Sequence, residues 1–175
     1  MHTSLAFVLL VAALAQTSGS DPAEEYHVKG GFLLNFVKFV EWPAEAFKSP
    51  ADPIAICVLG ANPFGPGLAQ VAQGTVVEKR TVAVRQIADA QQARGCQMVF
   101  VSASERKGVR AVIEATKGAS VLTVGESEGF IAAGGVIEFR LEESKVKMEI
   151  SAEAAKRAGL HISSKLLSLS QAGKR

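Results

Sequence analysis

The chain has 175 residues, 48% of them hydrophobic and 21% charged, which is the size of one domain and a globular composition that excludes disorder and collagen-like repeats. Nineteen basic side chains against seventeen acidic ones leave a formal charge of +2. The basic residues fall in scattered doublets (Lys79-Arg80, Arg106-Lys107, Lys156-Arg157), so no stripe is present that could neutralise a run of phosphates, and the pattern argues against nucleic-acid binding.

Met1-His2-Thr3-Ser4 is followed by an apolar run from Leu5 to Ala15 that closes on Ala13-Leu14-Ala15. Residues 1–15 read as a cleaved secretory signal, although the segment before the apolar run lacks Lys and Arg. The run is about 11 residues, short of the roughly 20 that a membrane-spanning helix needs. No later segment is apolar enough to cross, so an exported chain with no direct membrane insertion is expected. Residues 16–23 form a polar leader, residues 24–170 a single domain, and residues 171–175 a polar tail.

Asp21 as N-cap and Pro22 at the first helical position open a helix predicted to run to about Trp42, where Pro43 stops it. Tyr26, Leu33, Phe36, Val37 and Val40 recur at helical spacing. Phe32 and Phe39 widen that arc until only Glu25, Lys29, Lys38 and Glu41 remain for water, so the helix should pack on more than one side. Gly30-Gly31 costs about 1 kcal/mol per residue relative to Ala inside a helix. Close approach of another backbone is the compensation expected, and a bend of the helix at that point is the other reading.

From residue 53 the texture changes. Ile54 to Leu59 is a continuous apolar run suited to a doubly buried strand, followed by a Gly-Pro turn and a short helix to about Val71. Strand signals recur at Thr81 to Ile87, Met98 to Ser102 and Val121 to Val124, with an amphipathic helix from Glu105 to Thr116. Val136 to Leu141 and Lys145 to Ile150 then alternate apolar and charged residues around Glu142-Glu143-Ser144, as an antiparallel hairpin does. Pairing them directly sets Arg140 opposite Lys147 and Glu138 opposite Glu149. Either the register shifts by two residues or diagonal neighbours relieve the clash. Ala152 to Ala158 should be helical with Gly159 as its cap, and a last helix should begin at Ser163-Ser164 and end near Leu169. The fold class predicted is α/β: a three-layer, Rossmann-like mixed sheet, mostly parallel, with helices on both faces and a C-terminal antiparallel hairpin.

The chain contains two cysteines, Cys57 and Cys96, too few for a disulfide scaffold or a zinc site. Export favours one bridge between them, and two buried free thiols are the other reading. Closing a loop of about 40 residues stabilises a fold by roughly 4 kcal/mol on the chain-entropy model.

Other motifs carry less. Gly60-Ala61-Asn62-Pro63-Phe64-Gly65-Pro66-Gly67 sits where phosphate loops do, but it lacks the Lys and Ser or Thr of such a loop, and its prolines remove N–H donors. Gly125-Glu126-Ser127-Glu128-Gly129 has the Gly-x-Ser-x-Gly form with His161 downstream. Two glutamates beside the developing oxyanion would oppose catalysis there. His27 and His161 have no metal-ligand spacing. No catalytic centre, metal site or cofactor is expected from these residues.

Several stretches, taken in order, resemble the YfiR family. They are Glu25-Tyr26-His27-Val28-Lys29 running into Phe32 to Pro43, Ile56-Cys57-Val58-Leu59-Gly60 with Pro63-Phe64-Gly65, and Gly95-Cys96-Gln97-Met98-Val99-Phe100-Val101-Ser102. Further on come Val121 to Val124 with Gly129-Phe130, Gly134-Gly135-Val136-Ile137, and Ala158-Gly159-Leu160-His161-Ile162-Ser163-Ser164-Lys165-Leu166-Leu167. The resemblance implies a dimeric periplasmic repressor, not an enzyme, that binds the periplasmic sensor domain of an inner-membrane diguanylate cyclase and lowers cyclic di-GMP and biofilm formation. It implies sequestration by an OmpA-like outer-membrane lipoprotein, a disulfide between Cys57 and Cys96, and an apolar partner-binding patch at Leu160, Ile162, Leu166 and Leu167. Ordinary core packing is the other reading of those four. The chain departs from the family at Gly30-Gly31, where Ala-Ala is frequent, and lacks the second cysteine pair of some members. A periplasmic small-molecule sensor, with a pocket at the strand ends near Gly60 and Val124, is the alternative function.

Overall fold

A computed structural model describes residues 21–172. The signal-peptide reading, most of the polar leader and the last three residues of the tail lie outside the described residues. Helix α1 (Pro22–Phe39) is followed by β1 (Val40–Glu41), β2 (Ile54–Leu59), α2 (Gly67–Gln73), β3 (Val76–Val77), β4 (Arg80–Ile87) and β5 (Met98–Val101). Then come α3 (Val109–Thr116), β6 (Leu122–Gly125), β7 (Ile137–Glu142), β8 (Lys145–Ile150), α4 (Ala152–Arg157), β9 (His161–Ile162) and α5 (Ser164–Ala172).

The start of α1 is built as expected: the Asp21 side chain accepts from the Ala23 N–H, and Glu24 and Glu25 lie in the first turn, where they complement the helix dipole. Its end is not. The helix stops at Phe39, short of Trp42, because Val40 turns extended and pairs with Ile162 while Glu41 pairs with His161. This two-stranded ribbon ties the end of α1 to the C-terminal segment.

The main sheet runs β3-β4-β2-β5-β6-β7-β8, parallel from β4 to β7 and antiparallel at both edges. All six residues of β2 are buried, and side-chain alternation sends them to two cores. Ile54, Ile56 and Val58, with Met98, Phe100, Leu122 and Val124, meet Leu33, Phe36 and Val37 of α1, Leu68 of α2 and Leu166 of α5. Ala55, Cys57 and Leu59, with Val99 and Val101, meet Val109 and Val112 of α3. The result is the mixed three-layer α/β architecture that the sequence predicts. Phe36 of α1 stacks on Phe139 at 5.9 Å, and Phe64, in the turn before α2, meets Phe100 edge-on at 4.9 Å.

Three details differ from expectation or resolve it. The predicted helix from Glu105 begins instead as 3-10 turns over Ala103–Gly108, kinked at Glu105, before α3. No backbone approaches Gly30-Gly31: a Cβ at Gly30 would lie 3.6 Å from the Phe64 ring and one at Gly31 would meet nothing within 4 Å. The pair instead borders a groove of about 520 Å³ beside Tyr26, Leu34, Phe64 and Leu68. The β7–β8 hairpin keeps the direct register, Arg140 opposite Lys147 and Glu138 opposite Glu149. Arg140 relieves it by reaching sideways, its Nε 2.9 Å from Glu138 Oε1 and an Nη 2.9 Å from Glu149 Oε2. Glu143 and Ser144, at φ 49° and 61°, make the two-residue turn whose twist matches paired strands.

Candidate functional site

Cys57 lies in the middle of β2 and Cys96 just before the neighbouring β5; their Cα atoms are 6.1 Å apart and the sulfurs are bonded, within the range a disulfide spans. The free-thiol reading is thereby set aside. Both residues are sealed in the α3-side core, at 0% and 3% exposure. Arg85, paired with Cys57 across the β2–β4 ladder, donates its Nε–H to Cys57 Sγ at 3.3 Å and bonds the Gly95 carbonyl at 2.8 Å.

At the carboxyl ends of the parallel strands, the loop after β6 carries Glu126, which is 4% exposed. Lys29 of α1, also buried, donates to Glu126 Oε2 at 2.6 Å and to Glu25 one helical turn earlier. The Tyr26 hydroxyl and the Ala103 N–H both donate to Glu126 Oε1, at 3.3 and 2.8 Å. Burial opposes the ammonium of Lys29. Its hydrogen bonds to Glu126 and Glu25, and their charges, outweigh that and hold it above the ordinary lysine value. Burial, and then the charge of Glu126, raise the Tyr26 phenol. This cluster lines a cavity of about 510 Å³ together with Glu128, Glu138, Arg140 and Glu142, five carboxylates facing two cations.

Sequence reasoning left Lys29 to water and gave Glu126 no role beyond opposing an oxyanion. The one local sign was the Glu25, Lys29 spacing of four, which favours an ion pair on a helix. The partner, 97 residues away, has no local sign at all.

The other candidates are placed as follows. Leu160, Ile162 and Leu166 belong to the main core at 6%, 8% and 1% exposure, and Leu167 packs against it half-buried. The Gly60 turn is closed: a Cβ there would fall 2.5 Å from Ser104 Oγ, which itself accepts from the Ala61 N–H. The space directly beside Gly60 is therefore taken by the loop after β5, and the cavity at the strand ends lies instead on the Val124 side, beside Glu126. Ser127 is 7% exposed and its hydroxyl has no hydrogen-bond partner, so no base contacts it; no helix follows it to form a nucleophile elbow. His27 and His161 are exposed.

The chain is thus an α/β fold with two cores, one buried disulfide and an internal ion cluster. The chain belongs to the YfiR/HmsC-like family, whose profile matches residues 26–171, a family of periplasmic regulators of diguanylate cyclase signalling. Among solved structures, a conserved domain protein from Vibrio cholerae O1 biovar El Tor shares the fold, with a TM-score of 0.52 and 12% identity over 83% of this chain. The chain spans 58% of that protein's length. A search of curated proteins finds no significant match. Among the described residues no helix is long and apolar enough to cross a membrane.

Proposed function

We propose that the protein is a periplasmic repressor that binds the periplasmic sensor domain of an inner-membrane diguanylate cyclase and holds it in its inactive conformation. The observation that carries this reading is the family match over residues 26–171. Repression needs no chemistry. It requires only that the protein bind the inactive sensor more tightly than the active one, shifting the population toward it. The repressor works as a pair of identical copies, and an OmpA-like outer-membrane lipoprotein releases the cyclase by sequestering it. The C-terminal segment from Leu160 to Leu167 is the proposed partner-binding region, with half-buried Leu167 and the neighbouring Leu169, 48% exposed, as its accessible apolar surface.

The test is cellular cyclic di-GMP in a strain lacking the gene, complemented with the exported protein or with a form lacking residues 1–15. A rise on deletion that only the exported form reverses supports periplasmic repression; unchanged cyclic di-GMP across growth conditions refutes it. The acid-lined cavity of about 510 Å³ at the strand ends favours a second reading, a sensor of a small cationic ligand. Thermal stabilisation of the isolated protein by such a compound would distinguish it.

A further inference from the structure

β8 closes one side of the main sheet: its inner edge is bonded to β7, and among the described residues no strand lies along its outer edge. The hairpin fixes which backbone groups face outward. A two-residue turn at Glu143-Ser144 makes Glu142 and Lys145 a hydrogen-bonded pair, and alternation makes Arg140–Lys147 and Glu138–Glu149 bonded pairs too. The N–H and C=O groups of Val146, Met148 and Ile150 therefore point away from β7. This edge runs six residues with no proline; α5 packs against β8, and no described strand pairs with the outward groups, which leaves them as a template for another strand. The opposite edge, β3, is two residues long.

The side chains of β8 complement themselves in one register. Faces of a continuous sheet must match, so opposing residues share parity. Centred on Met148, an antiparallel pairing of two β8 strands sets Met148 against Met148, Val146 against Ile150, and Lys147 against Glu149 twice over. The three residues with outward backbone groups fall in the hydrogen-bonded pairs. The opposite charges fall in the closer, non-bonded pairs, where side chains interact most. A pairing centred on Lys147 would oppose two ammonium groups at that closer spacing.

We propose that two copies of this chain associate by antiparallel pairing of β8 about a two-fold axis at Met148, extending the sheet through both. This rests on the two-copy part of the reading above and names its surface. The test is sedimentation equilibrium of the exported chain and its variants, with circular dichroism to verify the fold. The unaltered chain is expected to be a dimer. Lys147→Glu opposes carboxylates at both charge pairs and should weaken association by about tenfold, and Lys147→Glu with Glu149→Lys should restore it. Lys147→Glu also removes the intrachain opposition to Arg140, so the fold should persist. A dimer that Lys147→Glu leaves unweakened would overturn the β8 surface while sparing the two-copy reading. An unaltered chain that sediments as a monomer would overturn both.

Discussion

Lys29 Nζ lies 2.6 Å from Glu126 Oε2, joining α1 to the loop after β6 across 97 residues, with both side chains at most 5% exposed. Removing one partner of such a buried pair leaves the other charged and desolvated, at a cost of about 3–5 kcal/mol. Lys29→Met should therefore destabilise by about 3 kcal/mol or more, and Lys29→Met with Glu126→Gln by less than the sum of the two single changes. Urea unfolding of the four proteins measures the cycle. Additive losses below about 1 kcal/mol each would show that the clasp is solvated.

The same pair sets an alkaline limit. Lys29 is held above the ordinary lysine value, after burial is outweighed by Glu126 and Glu25. Protonation is thus favoured more in the folded than in the unfolded chain, so this contribution is complete below the unfolded-state value and is lost as pH rises through the folded-state one. Stability should carry no Lys29-dependent slope through neutral pH and should fall in strongly alkaline solution. Lys29→Met should lack that component of the fall, as melting temperatures across pH would record.

Arg140 holds a second buried carboxylate. The Glu138 side chain is 1% exposed, bonded by Arg140 and by the Ile131 N–H, with Glu149 directly opposite. Arg140→Ala leaves two carboxylates facing each other and should cost about 3 kcal/mol. Adding Glu138→Gln should return part of the loss. Denaturation midpoints that do not move on Arg140→Ala would refute the role assigned to this residue in fixing the hairpin register.

The disulfide joins residues 39 apart in sequence, and its loss as Cys57→Ala with Cys96→Ala should cost about 4 kcal/mol on the chain-entropy model. Because both sulfurs are buried, reductant should reach them only through opening of the fold. Thiol labelling after a pulse of reductant, with and without denaturant, would reveal equal rates if that burial were not protective.

Gly30→Ala and Gly31→Ala should each stabilise by about 1 kcal/mol, since both lie inside α1 and neither added Cβ meets an atom closer than 3.6 Å. A loss of stability in thermal melts would show that the groove they border closes in solution.

The composition, the alternation of apolar runs with helical stretches and the two cysteines determined the class of this fold, because periodicity is a local property that each segment carries by itself. The doubly buried β2, the start of α1 at Asp21-Pro22 and the hairpin were legible for that reason. The two-residue strands β1, β3 and β9 were not, since a pattern needs more than two positions; they exist because a neighbouring strand is there to pair with. Tertiary structure alone showed how the direct register is relieved, since Arg140 can reach Glu149 only once the strands are paired. It likewise buried Lys29, which the helix pattern gave to water, because the carboxylate that stabilises it arrives from the loop after β6, 97 residues along the chain. Leu160, Ile162 and Leu166 were visible as apolar, and only the packing of α5 and β9 against the main core decided that this monomer covers them.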